Sequence, residues 1–94
     1  MEKCVLFDTG FITRTAAATA AMFRSHITEH SLVERHQSGD YGNVTEARKT
    51  LNNDAAHHGG QVVSAYRLPF EAQVVQIVTD ADRGATLVRL LSEA

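Results

Sequence analysis

Four polar side chains in this 94-residue sequence have types that could cleave a phosphodiester bond: His36, Asp40, Arg83 and Thr86. An imidazole can move protons, and a carboxylate four residues further along the chain can orient it. A guanidinium can stabilise the charge of a phosphate beside a hydroxyl group. The sequence therefore supports a hypothesis of ribonuclease chemistry, provided that the fold brings these residues together.

The loop HQSGDYG, residues 36–42, also has a structural interpretation, and we favour it. Its two glycines permit positive φ, and Asp40 can accept hydrogen bonds from exposed backbone N–H groups. Tyr41 would then pack against a sheet. We predict an ordered corner at this loop.

A second group of polar side chains would converge at one sheet edge if the C-terminal third forms a meander. The group comprises Ser64, Tyr66, Thr79, Asp80, Arg83 and Thr86. Helices before an antiparallel sheet resemble in outline the small toxin ribonucleases of the barnase, colicin and RelE type, although a fold does not imply a function. The competing interpretation, which we prefer, is that the segment 80–84 is a solvated turn with a local ion pair.

Metal and cofactor chemistry has little support. His26 and His30 have a spacing that can place two zinc ligands on one helical face, but Thr28 is a helix cap that would end that helix between them. His57 and His58 are adjacent, so they point apart on a helix. The sequence has no Walker loop, GxGxxG or GxSxG motif. We predict no metal and no cofactor.

Composition limits the partners. Nine basic residues against eleven acidic ones give a net charge of −2, and the basic residues are scattered, so we expect no direct sequence-specific nucleic-acid binding. Cys4 is the single cysteine, and we expect a buried thiol. The sequence lacks a secretory signal and a membrane-spanning run, so we expect a cytoplasmic location. An alanine-rich core is thin, which leaves a homodimer open.

Threonines mark the starts of three predicted helices. Thr15, Thr28 and Thr45 can each cap the free N–H groups of a first helical turn. The predicted helices occupy roughly residues 15–36, in two segments, and 45–57. The side chains predicted to face the interior are Ala16, Ala20, Phe23 and Ile27 in the first helix, and Ala47, Leu51 and Ala55 in the last.

Strand signals lie at both ends of the sequence. Residues 4–7 form an apolar run that predicts a short strand. The β-branched segments between Gln61 and Leu91 predict three antiparallel strands. Together these elements predict one α+β domain over residues 1–94, with N-terminal helices packed on one face of a small C-terminal antiparallel sheet, a meander.

Several motifs resemble a family of short plasmid-related proteins of mobile genetic elements, which are sometimes mislabelled as type I restriction subunits. The shared residues are Arg35-His36-x-Ser38-Gly39-Asp40-aromatic-Gly42, Asn52, Gly59, Ser64-Ala65-Tyr66, Ile77 to Arg83, and Thr86. The chain diverges at Tyr41, where the family usually has Trp, and at its last four residues. The resemblance implies a mobile-element setting.

Two functions follow as hypotheses. The first is a non-enzymatic protein that binds and inhibits a host defence complex, such as a CRISPR effector, through protein–protein contacts. Its predicted contact residues are Tyr41, Tyr66, Arg67 and Phe70. The alternative is a small ribonuclease-like enzyme that uses the histidine, arginine and threonine named at the outset. We favour the binding protein.

Overall fold

The computed structural model describes residues 5–94, which contain three helices and four strands. In chain order these are β1 (Phe11–Arg14), α1 (Ala16–Arg24), α2 (Glu29–Gln37), α3 (Glu46–His58), β2 (Val62–Arg67), β3 (Val74–Thr79) and β4 (Ala85–Leu90). A short 3-10 turn follows at Leu91–Glu93. Within this part of the chain, no helix is long and apolar enough to cross a membrane.

The three predicted helix caps are confirmed. The hydroxyl groups of Thr15, Thr28 and Thr45 each accept a hydrogen bond from the backbone N–H three residues further along. A side-chain acceptor at this position replaces a partner that the first turn of a helix lacks. Local chemistry therefore sets where each helix begins.

The sheet is mixed, with strand order β1-β4-β3-β2, so the prediction of a purely antiparallel meander is wrong. Strands β2, β3 and β4 do pair antiparallel, but β1 adds to β4 in parallel, from Phe11 beside Ala85 to Arg14 beside Val88. A three-stranded meander would leave the backbone groups along the outer edge of β4 without partners in the sheet, and β1 supplies those partners. The N–H of Phe11 donates to the Gly84 carbonyl at 3.1 Å.

The predicted strand over residues 4–7 is not present where the structure describes it. Cys4 lies outside the described residues, and Val5 to Phe7 are irregular. This segment packs beside α2 instead, where the Leu6 N–H donates to the Gln37 carbonyl at 2.8 Å. Within Val5 to Phe7, only Phe7 is buried in the core, whereas Leu6 is half-buried and Val5 is exposed.

One face of the sheet forms the main core with the helices. Strand residues with alternating burial, such as Val75 and Ile77, contact the buried residues of α1 and α2. The full cluster is Ala18, Ala21, Met22, Leu32, Val33, Tyr66, Leu68, Val75, Ile77, Val88 and Leu90. A second cluster joins α3 to the start of β2 and contains Phe7, Tyr41, Ala55 and Val62.

The predicted inward faces of α1 and α3 are largely wrong. In α1 the buried residues are Ala18, Ala21 and Met22, whereas the Phe23 ring is 82% exposed. Alanine occupies both faces of this helix, so its apolar spacing fits two rotations equally well. The predicted inward residues Ala16 and Ala20 of α1, and Ala47 and Leu51 of α3, are also exposed; Ile27 is half-buried and Ala55 is buried.

The outer edge of β2 is covered by local hydrogen bonds. The Asn52 amide of α3 donates to the Val63 carbonyl at 2.7 Å, and its carbonyl oxygen accepts from the Val63 N–H at 3.0 Å. Further along, Gly42 lies beside Ala65 in a parallel bridge. Gly42 has φ of +72°, and a Cβ there would overlap the Ala65 carbonyl oxygen, so only glycine fits.

Candidate functional site

His36 lies at the centre of a buried polar network. It occupies the last turn of α2 and is fully buried. Its Nδ1 lies 2.5 Å from the Ser64 hydroxyl of β2, and its Nε2 lies 2.8 Å from the Thr79 hydroxyl of β3. The Thr79 hydroxyl in turn lies 2.7 Å from that of Thr86 in β4. The imidazole thus connects a helix directly to two strands and, through Thr79, to a third.

The proton positions in this network follow from its last bond. The Thr86 hydroxyl donates its only proton to the carbonyl of Thr9 at 2.8 Å. Thr86 must therefore accept from Thr79, and Thr79 must accept from the Nε2–H of His36. The Nδ1 atom is then an acceptor, and the Ser64 hydroxyl donates to it. This chain of donors fixes a neutral His36 with its proton on Nε2.

The surroundings of His36 keep it neutral. Burial and, to a smaller extent, the positive charge of Arg83 together lower its pKa to about 4. The Phe7 ring lies edge-on to the imidazole, with 5.1 Å between the ring centroids. Both ring nitrogens are engaged and the side chain has no exposed surface, so His36 in this structure cannot reach the hydroxyl of an RNA substrate.

Arg83 is occupied by backbone carbonyls. Its guanidinium donates to the carbonyls of Ala55 and Gly60, each at 2.6 Å, and also stacks over the ring of Phe7 at 5.2 Å from the centroid. Ala55 lies in the last turn of α3, and its carbonyl also accepts the N–H of the C-cap residue Gly59 at 2.9 Å. The arginine therefore fastens the end of α3 to the β3–β4 turn, and this use competes with phosphate binding.

Asp40 does not orient the imidazole of His36. Its carboxylate accepts from the Arg35 guanidinium at 2.7 Å and from the Gly42 N–H at 3.3 Å. The Asp40 carbonyl accepts the Tyr66 hydroxyl at 2.6 Å. The prediction of an ordered corner with backbone bonds to this acid is confirmed, and Tyr41 is covered as expected, with 3% of its surface exposed.

The four predicted contact residues divide into two buried and two exposed side chains. Tyr41 and Tyr66 belong to the core, and burial raises the pKa of both phenols. Arg35 covers the outer side of the Tyr66 ring at 4.6 Å. Arg67 and Phe70 are exposed, and the Phe70 ring is 90% exposed in the turn between β2 and β3. Only the latter two can meet a partner.

Phe23 is a surface aromatic, although its helical spacing predicts a position in the core. The next residue, Arg24, donates two hydrogen bonds to one carboxylate oxygen of Glu71, at 2.8 and 3.0 Å. This ion pair fixes the turn that carries Phe70 to the helix that carries Phe23. We call these two exposed rings, together with this ion pair, the aromatic patch.

The aromatic patch continues into a shallow apolar groove along α1. The groove is lined by Arg14, Ala16, Thr19, Ala20, Phe23 and Arg24. Both arginines at its rim carry ion pairs, to Glu29 and Glu71 respectively. The groove therefore presents hydrocarbon, with its rim charges neutralised.

His26 and His30, the candidate zinc ligands, belong to different elements of the fold. His26 is in the connection between α1 and α2 with φ of +57°, and His30 is in α2. Among residues 5–94, no group of three His, Cys, Asp or Glu side chains is arranged to hold a metal ion.

Comparison with protein-family models, with curated proteins and with solved structures finds no match to this chain.

Proposed function

We propose that this chain is a non-enzymatic binding protein that inhibits a host defence complex through its aromatic patch. The observation that carries this proposal is the Phe70 ring, which is 90% exposed and held at φ of +64°. The catalytic alternative receives no support from the geometry, because His36 is buried and Arg83 binds backbone carbonyls.

The conformation of Phe70 argues that the ring serves something other than folding. A bulky L-residue in the left-handed region is costly, by roughly 1 kcal/mol or more, and glycine would occupy that position more easily. The exposed ring contributes almost nothing to the core in return. Backbone strain that folding does not require is often found at binding sites.

Phe23 and its surroundings give the patch the composition of a binding hot spot. Each aromatic ring is next in sequence to one member of an arginine–carboxylate pair, and aromatic and arginine side chains dominate the energetics of protein interfaces. The adjoining groove along α1 offers apolar surface for a partner's side chains. Because α1 and the β2–β3 turn are held together, little ordering is needed on binding.

The class of partner rests on charge and on the family resemblance. A net charge of −2 is too small for mimicry of DNA, so inhibition would depend on a shaped patch. The resemblance to plasmid-related proteins favours a target that attacks mobile elements. We therefore place the action of this protein in the cytoplasm, against a nucleoprotein defence complex such as a CRISPR effector.

Plasmid interference in bacteria tests this proposal. A panel of strains, each with one active CRISPR system, is transformed with a targeted plasmid while the protein is expressed. We expect wild type to raise the transformation efficiency in at least one strain, and Phe23→Ala or Phe70→Ala to lower that protection at least tenfold. Leu51→Ala is the matched control, because Leu51 is an exposed apolar residue of α3, 57% exposed and outside the patch.

Two results would contradict the proposal. The first is protection that both patch variants retain at wild-type expression levels. The second is cleavage of RNA by purified wild type that His36→Ala and Arg83→Ala abolish, since this would establish the ribonuclease alternative.

A further inference from the structure

The face of the sheet opposite the helices carries a row of apolar side chains that is unusual for a surface in contact with solvent. Val63, Val78 and Leu87 are direct cross-strand neighbours and form one row across β2, β3 and β4. All three are half-buried, and none belongs to either hydrophobic cluster of the described residues. The solvated face of an antiparallel sheet usually carries polar side chains instead.

The charged side chains of the face itself lie at one end of the strands. Arg67 ends β2 at this end, and Arg89 lies towards the same end of β4, where it donates to Gln76 and interacts electrostatically with the Glu93 carboxylate. At the opposite end, the turn between β3 and β4 carries the exposed acids Asp80 and Asp82. Arg83 of the same turn is turned inward to the carbonyls of Ala55 and Gly60, so it does not cancel these acids at the surface.

We propose that this open face is a homodimer interface, in which it packs against the same face of a second copy. The two-fold axis lies between the two sheets and perpendicular to the strands. The strands of the second copy therefore run in the opposite direction to those of the first. The arginine end of each copy then lies over the acidic end of the other, and the apolar rows lie between the two charged ends. The face is thus complementary to itself, as an isologous interface must be.

The size of the face is close to the lower limit for a specific contact. Four strands about 4.8 Å apart and six residues of about 3.3 Å each give a footprint of roughly 20 by 20 Å. Because side chains protrude from the sheet, the accessible area of the face is larger than this flat footprint of roughly 400 Å² per copy. The total for two copies approaches the lower limit of about 1,000–1,200 Å² for specific interfaces. A dimer in the micromolar range is therefore expected, rather than an obligate one.

Other occupants fit the face less well. A nucleic acid would be repelled at the acidic end, and a uniformly charged protein would meet one unfavourable end. A second copy in the antiparallel arrangement places opposite charges together at both ends of the interface. The aromatic patch lies on α1 and the β2–β3 turn, and the open face carries neither of its rings. The proposed binding site and the proposed dimer interface can therefore be tested independently.

Analytical ultracentrifugation of the full chain from about 5 to about 500 μM tests the interface. We expect wild type to change from monomer to dimer over this range. Val78→Arg places a charge in the apolar row and should weaken association at least thirtyfold. Leu51→Arg is the control, since it puts the same charge on an exposed apolar position of α3 and should leave association unchanged. Circular dichroism checks that each variant is folded.

Charge reversal tests the antiparallel arrangement. Arg67→Glu and Asp80→Arg should each weaken the dimer several-fold, because each places like charges opposite one another at both ends of the interface. The double variant restores opposite charges and should recover most of the affinity. Wild type that stays monomeric at every concentration, a dimer that Val78→Arg leaves intact, or a double variant weaker than either single one would each overturn the proposal.

Discussion

The Nε2 atom of His36 lies 2.8 Å from the Oγ1 atom of Thr79, and both side chains are fully buried. This contact joins the last turn of α2 to β3 and continues through the hydroxyl of Thr86 to β4. Every donor in this series of hydrogen bonds has an acceptor when the imidazole is neutral. A second proton on His36 would leave the Ser64 hydroxyl facing an N–H and would bury a charge beside Arg83.

The stability of the fold should therefore fall as the pH falls. Folding holds the pKa of His36 at about 4, below its ordinary value of 6.5, so the unfolded chain binds a proton that the folded chain excludes. The contribution of neutral His36 is complete above about pH 6.5 and is lost as the pH drops towards 4. Between pH 7 and pH 5 we expect a loss of roughly 2 kcal/mol in the free energy of unfolding, measured by urea titration.

The control for this titration is His36→Gln. Glutamine can donate and accept hydrogen bonds in the same space but carries no titratable group. The variant should be less stable at pH 7, yet its stability should change much less between pH 7 and pH 5. An equally steep loss in this variant would assign the effect to other groups.

Replacing Tyr41 by Phe should make the protein more stable. The Tyr41 ring is buried, and its hydroxyl finds no hydrogen-bond partner among residues 5–94. Removing a buried unsatisfied hydroxyl relieves a desolvation cost of about 1 kcal/mol. Tyr66→Phe is the matched contrast, because the Tyr66 hydroxyl donates to the Asp40 carbonyl at 2.6 Å and its loss should destabilise the fold by about as much. Equal effects of the two substitutions in urea unfolding would contradict the assignment.

Sequence patterns predict this structure correctly where its cause is local. Thr15, Thr28 and Thr45 begin helices because one hydroxyl satisfies one nearby N–H. Strand β1, in contrast, forms because of a contact with a distant part of the chain. Its four residues include a threonine and an arginine, and its place depends on the free edge of β4, some 70 residues away along the chain. No pattern within residues 11–14 predicts that contact.

The candidate site shows the same division. Asp40 and the glycines around it predict an ordered corner from their residue types alone. Residue type does not reveal whether His36 is an accessible base or a buried connector, because both roles use the same hydrogen-bonding nitrogens. Phe23 was placed in the core for a related reason: an alanine-rich helix has little sequence contrast between its two faces.

Asp40→Ala should destabilise the corner without a specific effect on partner binding. The carboxylate of Asp40 accepts the Gly42 N–H and pairs with Arg35, and the loss of such an acceptor costs about 1–2 kcal/mol. Asp40→Asn is the control, since it keeps a backbone acceptor and loses only a partly exposed ion pair worth at most about 1 kcal/mol. Thermal melts beside the interference assay give the answer. An unchanged melting temperature with protection abolished would show that the loop itself contacts the partner.

Phe70→Gly should separate stability from function in the opposite direction. Glycine adopts φ of +64° without a clash, so the folded state loses strain, although the unfolded chain gains entropy. The loss of strain and the gain of unfolded-state entropy oppose each other, so we expect the free energy of unfolding to be unchanged or raised by up to about 1 kcal/mol. The exposed ring is absent, however, so protection in the interference assay should fall at least tenfold. Phe70→Tyr, which keeps the ring and the strain, should retain most of the protection. A glycine variant that protects as well as wild type would remove Phe70 from the binding site.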